Sequence, residues 1–113
     1  MPAFAPSPDV QQRRERLAAF MEAQVYPNER ALAAEDDAAE ALMRELQGKA
    51  KAAGLWAMFI GPDAGGTGTG FLPYVYLNEV IGRSLVAPRI FGCQAPDTGN
   101  AEIIAHYGTD EQK

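Results

Sequence analysis

Apolar positions recur at helical spacing from the first turn onwards. Val10, Leu17, Phe20, Met21, Gln24 and Val25 fall on one side of a helical wheel, with Arg13, Arg14, Glu15 and Arg16 mainly on the other. Ser7-Pro8-Asp9 supplies a capping hydroxyl, a proline for the first turn and an acid that complements the helix dipole. Pro27 has no N–H, so the helix is expected to kink or break near Val25-Tyr26. The basic run reads as a solvated face. A second helix opens at Asp36-Asp37, with Ala38, Ala41, Leu42, Glu45, Leu46, Lys49, Ala50 and Ala53 as its stripe. Lys49 and Lys51 suit its carboxyl end, Gly54 stands where a terminating glycine belongs, and Leu55 is the hydrophobic closure behind it.

The pattern then changes. Leu55 to Ile60 is apolar enough for a strand, but no second strand pattern exists to pair with it. It is expected to be extended backbone plugged into a helical core, with Trp56 and Phe59 as anchors. Glycines at 61, 65, 66, 68 and 70, beside Pro62 and Asp63, predict an irregular bend. A third helix is expected over about 72–83. Leu72, Val75, Tyr76, Glu79 and Val80 form one line of it, and Leu77 and Ile81 widen the face enough to imply burial on more than one side. Pro88 opens a fourth helix expected over 88–95, which Pro96 interrupts. Asp97-Thr98-Gly99 leads into a last segment, 100–108, where Ile103, Ile104 and Tyr107 are apolar and Gly108 ends the pattern. Thr109 and Gln112 then stand in capping-box register, announcing a further helix just before Lys113 and suggesting a piece of something longer. The expected fold is all-α and bundle-like, with one irregular glycine-rich connection. Residues 1–7 are a flexible N-terminus and 8–113 the domain.

Composition narrows the class. With 113 residues, 47% hydrophobic and 22% charged, the chain suits one globular core and not a disordered segment. A net charge of −5 leaves no basic excess for phosphates, which disfavours nucleic acid as a partner. The lone Cys93 cannot make an internal disulfide, which points to a reducing compartment. The six residues from Leu55 to Ile60 are the longest apolar run, far below membrane-spanning length, and the start lacks the pattern of a secretory signal. The expected location is cytoplasmic.

Several motifs invite chemistry and fall short of it. In the glycine run, Gly61 and Gly66 have phosphate-loop spacing, but Thr67 stands where lysine is required. Gly66 and Gly68 begin a dinucleotide fingerprint that Phe71 breaks. Asp97-Thr98-Gly99 matches the aspartic-protease string, yet that chemistry needs paired carboxylates on β-loops, and the surroundings are helical. His106 is the one histidine and reads as a helix-end cation, not a metal ligand. Cys93 has no histidine partner at a nucleophile's spacing and reads as a small hydrophobe.

Taken in order, Gly54-Leu55, Pro62, Gly65-Gly66, a Gly/Thr spacer and an apolar helix closing Glu79-Val80-Ile81-Gly82-Arg83-Ser84 resemble the N-terminal helical domain of the flavin-dependent acyl-CoA dehydrogenases. The stretches GCQAPDTGNAEIIAHYG (92–108) and TDEQK (109–113) extend the resemblance over roughly residues 10–113. It implies an enzyme that removes two hydrogens across Cα–Cβ of an acyl-CoA-type thioester, a carboxylate taking the α-proton and FAD the hydride. In that family the base and the main FAD contacts belong to a β-domain and a second helical domain, and the whole is a homo-oligomer. The resemblance therefore places no catalytic and no cofactor residue here. It implies that this chain alone neither holds FAD nor turns over. Carried over by position, Ile90, Phe91, Gln94, Ala95 and Thr98 would face the acyl slot; the other reading is that they pack the helical core. The polarity of Gln94 and Thr98 would suit a substrate with an oxygen along its chain. The alternative is a freestanding helical module that binds a protein through its aromatic face.

Overall fold

In the computed structural model, which describes residues 5–113, the Ser7 hydroxyl accepts the Val10 amide at 3.4 Å. Helix α1 (Pro8–Phe20) starts where that cap and Pro8 place it. Of the expected flexible N-terminus, residues 1–4 lie outside the described residues. Leu17 is buried on α1, and Met21 and Val25 continue the same line. The break before Pro27 takes a particular form. Met21–Val25 widens into a π-helical turn, with the Tyr26 N–H reaching the Met21 carbonyl, and Tyr26–Asn28 tightens into a 3-10 turn. Pro27 cannot donate to the preceding turn, and the chain absorbs the loss by changing pitch. A short helix follows, α2 (Glu29–Ala33), burying Leu32; its 5 residues are too few for periodicity to announce it.

Asp36 caps α3 (Asp37–Ala52) by accepting the Ala39 amide at 2.8 Å. The buried face of α3 is Ala39, Met43, Leu46 and Ala50, whereas Ala38, Ala41, Glu45 and Lys49 are exposed. The expected stripe is thus about one position out of phase, because alanines on every side of this helix mark no face and Met43 sets it. At its end, Gly54 has φ +72°. The Leu55 N–H bonds the Ala50 carbonyl at 2.9 Å and the Gly54 N–H bonds Lys51 at 3.1 Å, closing the helix as a Schellman motif.

Residues 55–60 enter the core, but not as extended backbone. The chain turns at Ala57 (φ +48°), the Ile60 amide bonds the Ala57 carbonyl at 3.0 Å, and the Ala57 amide bonds Phe91 at 2.9 Å. Leu55, Met58 and Ile60 fill the interior, while Trp56 and Phe59, the expected anchors, are half-buried at its edge. The glycine connection then folds back over this segment. Gly68 N–H bonds the Ile60 carbonyl at 2.7 Å, and a Cβ on Gly66 would stand 2.1 Å from the same oxygen. Only glycine allows that approach.

Helix α4 (Phe71–Ile81) buries Leu77, Val80 and Ile81. Leu72, Val75 and Glu79, expected on its buried line, are exposed, so the wide apolar face is covered on one side only. Helix α5 (Ala87–Ile90) is a single turn, shorter than the 88–95 expected, and the chain bends at Phe91-Gly92. Helix α6 (Asp97–Tyr107) takes in Asp97-Thr98-Gly99 as its first turn, where a lead-in was expected, and none of its residues is buried. The capping box forms: the Thr109 amide bonds Gln112 Oε1 at 2.9 Å and the Gln112 amide bonds Thr109 Oγ1 at 3.3 Å.

Helix α1 packs along α4, and α3 packs against α2 and α5. Leu17, Met21, Val25, Leu46, Leu77 and Phe91 meet between them, with the Phe20 and Phe91 rings edge to face at 5.3 Å. The basic run of α1 is not simply solvated. Arg14 donates to the Tyr76 carbonyl at 3.2 Å and to Glu79 at 2.6 Å, Arg13 donates to the Thr67 carbonyl, and Arg16 caps the end of α3 at the Ala53 carbonyl. These arginines tie α1 to α3, α4 and the glycine connection. The described residues contain helices and turns and no strand, so the fold is all-α. No helix among them is long and apolar enough to cross a membrane. The outline is a slab of 42 × 39 × 21 Å with a radius of gyration of 14.5 Å, against about 13 Å for a compact chain of this length.

Candidate functional site

The glycine connection, the start of α4 and the first turns of α6 surround a hollow of about 620 Å³. Phe59 and Tyr74 contribute rings to it, their centroids 5.8 Å apart. Gly68, Thr69 and Gly70 form one wall, Phe71 stands at the lip, and α6 supplies Thr98 and Glu102. Each piece is held from behind. Thr67 is fixed by its hydroxyl, which donates to the Trp56 carbonyl at 3.1 Å, and by Arg13 on its own carbonyl. The Tyr74 hydroxyl donates to Asn78 at 3.2 Å and faces the Cys93 thiol, whose sulfur lies 3.4 Å from the Pro88 carbonyl. Burial, reinforced by the neighbouring thiol, pushes the Tyr74 phenol well above its usual range. Burial also raises Cys93, and its interaction with Tyr74 opposes that only in part. Both groups are therefore neutral at physiological pH and are packing elements with a polar tip, in keeping with Cys93 as a small hydrophobe.

The five positions carried over by resemblance separate. Ile90 and Phe91 are 0% exposed and sit in the core, so neither presents a side chain to the hollow. Thr98 lines it. Gln94 is exposed and borders a different concavity of about 340 Å³, beside Leu85 and the Arg89–Glu40 pair. Arg89 grips Glu40 at 2.8 and 2.9 Å, and this bond holds the Glu40 carboxyl below its usual range. Ala95 is exposed between the two. Gln94 and Thr98 are linked through the backbone, Thr98 N–H to Gln94 carbonyl at 3.2 Å, but their side chains do not share a cavity. Sequence reasoning missed Phe59, Tyr74 and Glu102. Glu102 alone carried a signal, its spacing of four from Thr98 on one helix.

Three amides of the glycine run are engaged internally, Gly65 to Pro62, Gly66 to Gly61 and Gly68 to Ile60. A Cβ on Gly66 or Gly68 would meet protein backbone and not open space. No group of histidine, cysteine or carboxylate side chains among the described residues is arranged to hold a metal ion. His106 lies in the last turn of α6, exposed.

The family model described as "Acyl-CoA dehydrogenase, N-terminal domain" matches residues 7–113. The chain is 43% identical to "Acyl-CoA dehydrogenase family member 10" of Mus musculus over 95% of its own length and 11% of that protein. It is 38% identical to "Probable acyl-CoA dehydrogenase FadE2" of Mycobacterium tuberculosis over 97% of itself and 28% of the relative. A solved structure, titled "Structure of a putative acyl-CoA dehydrogenase from Mycobacterium abscessus", superposes with a TM-score of 0.79 at 37% identity, covering 96% of this chain and 30% of that one. The chain thus spans less than a third of each of these proteins.

Proposed function

Because the chain belongs to the acyl-CoA dehydrogenase family, as an N-terminal domain of it, we propose that it forms one wall of the substrate slot in an FAD-dependent enzyme that dehydrogenates an acyl thioester. The observation that carries this reading is the match over 7–113 to a domain whose glycine connection, α4 and α6 here enclose a largely apolar hollow. Phe59, Phe71 and Tyr74 offer rings to a hydrocarbon body and keep water from it, and the Thr98 hydroxyl stands at the rim. Gln94 and Ala95 extend the wall on the neighbouring surface, and Ile90 and Phe91 support it from within. We place the flavin, which takes the hydride in this chemistry, mainly against the rest of the enzyme, since the amides of Gly65, Gly66 and Gly68 are already bonded within the glycine connection. The chain's share is to bind and orient, and by itself it is inactive. The free thiol of Cys93 favours the reducing cytoplasm as its compartment.

The test is a chimera in which this chain replaces the matched third of the Mycobacterium abscessus protein. The expected result is a folded protein that retains FAD and reduces an electron-accepting dye when given an acyl thioester, while residues 1–113 alone do neither. A chimera that folds and holds FAD but responds to no acyl thioester would overturn the proposal.

A further inference from the structure

Among the residues lining the 620 Å³ hollow, Glu102 is the one with a carboxylate. It lies one helical turn beyond Thr98 on α6, so both side chains share one face of that helix. The other lining groups are rings, glycine backbone and hydroxyls. No hydrogen bond or ion pair reaches the Glu102 carboxylate among the described residues. By contrast Glu40 and Glu79, on α3 and α4, are each gripped by arginine. An unpaired negative charge beside an apolar hollow repels an anionic group brought to it and attracts a cationic one.

We propose that Glu102 is a specificity-determining residue, a charge filter that sets this hollow against acyl chains whose far end, away from the thioester, carries an anionic group. The inference rests on the reading of the hollow as a ligand wall and adds the class of ligand it refuses. Carboxylate-ended chains are disfavoured. Neutral and cationic ends are accepted.

The experiment uses chain-matched probes, octylammonium, 1-octanol and octanoate, titrated into the protein at low salt. The amide NMR signals of Gly68, Thr69, Gly70 and Thr98 report binding. In the unsubstituted chain octanoate is expected to bind weakest and octylammonium tightest, each step about threefold, as suits a solvent-accessible charge. The order should narrow at high salt. Glu102→Gln keeps the shape and removes the charge, so the three affinities should converge, and Glu102→Lys should reverse their order. Glu102 is exposed on a helix without buried residues, so both variants are expected to fold. Binding whose order is indifferent to these substitutions would overturn the charge filter and leave the wall standing. If none of the probes moves the signals of residues 68–70 and 98, the hollow is not a ligand site and both readings fall.

Discussion

Two glycines that look alike in the sequence answer opposite needs. Gly66 is pressed against the carbonyls of Ile60 and Ala57, where a Cβ would come within 2.1 and 2.7 Å of oxygen. Gly48 lies inside α3, and a methyl added there would find nothing within 4 Å. Gly66→Ala should cost about 3 kcal/mol, because backbone cannot move aside as a side-chain tip can. Gly48→Ala should gain about 0.5–1 kcal/mol from helix propensity. Urea unfolding checks both, as midpoints displaced in opposite directions with a common slope. The composition of the glycine run announced a bend, but not which glycine is irreplaceable, since that depends on which carbonyl lies opposite. Thr98 was singled out by position in the resemblance, and it lines the hollow. Tyr74 was not, since an aromatic on an apolar helix reads as core until the neighbouring elements are placed.

Helix ends were easier to read than helix faces. Ser7, Asp36, Gly54 and the Thr109–Gln112 pair act where their residue types predicted, since a cap is a contact between near neighbours in sequence. Faces depend on what packs opposite, and in α3 alanines on all sides left the phase open. The π-helical turn before Pro27 and the short α5 were equally hidden, because each answers to tertiary packing. One link between elements carries a pH dependence. Tyr74 on α4 faces Cys93 in the connection after α5, and both titrate higher in the fold than their ordinary values of 10.0 and 9.0. The folded state thus holds protons that the unfolded chain gives up as the pH rises past about 9. Stability should be complete below that value and decline steadily through pH 9–11. Tyr74→Phe should make the decline shallower, costing only about 1 kcal/mol at neutral pH for its bond to Asn78. Thermal midpoints taken from pH 7 to 11 test this, and an alkaline slope identical in the two proteins would refute the assignment to Tyr74.

At the scale of the molecule, a thin slab has more surface than its core can make polar. Phe71 is 81% exposed, Leu72 57%, Ile103 61% and Tyr107 87%, at the start of α4 and along the second half of α6. The chain should take up the apolar dye ANS and associate at high concentration. Replacing Phe71 and Ile103 together with serine should reduce dye uptake by roughly half without changing the helical circular dichroism. A chain that binds no dye would mean that this face is covered in solution. The overall class and the order of helices followed from the sequence because helical spacing and breakers are local. The hollow did not, because its walls come from segments some thirty residues apart that meet only through the turn at Ala57 and the fold-back of the glycine run.

The indole of Trp56 sits where several of these pieces converge. Lys51 Nζ lies 4.4 Å above its ring, Gly92 is pressed so close that a methyl there would stand 2.7 Å from it, and Trp56 lines one concavity together with Ala101, Ile104 and Ala105 of α6. It is also the only tryptophan in the chain. The molecule therefore carries a single indole fluorophore between a cation on α3 and the helix with no buried residue of its own. The colour of its emission is a direct gauge of whether α6 is seated: shaded and blue when the helix lies against it, wet and red when the helix lifts away.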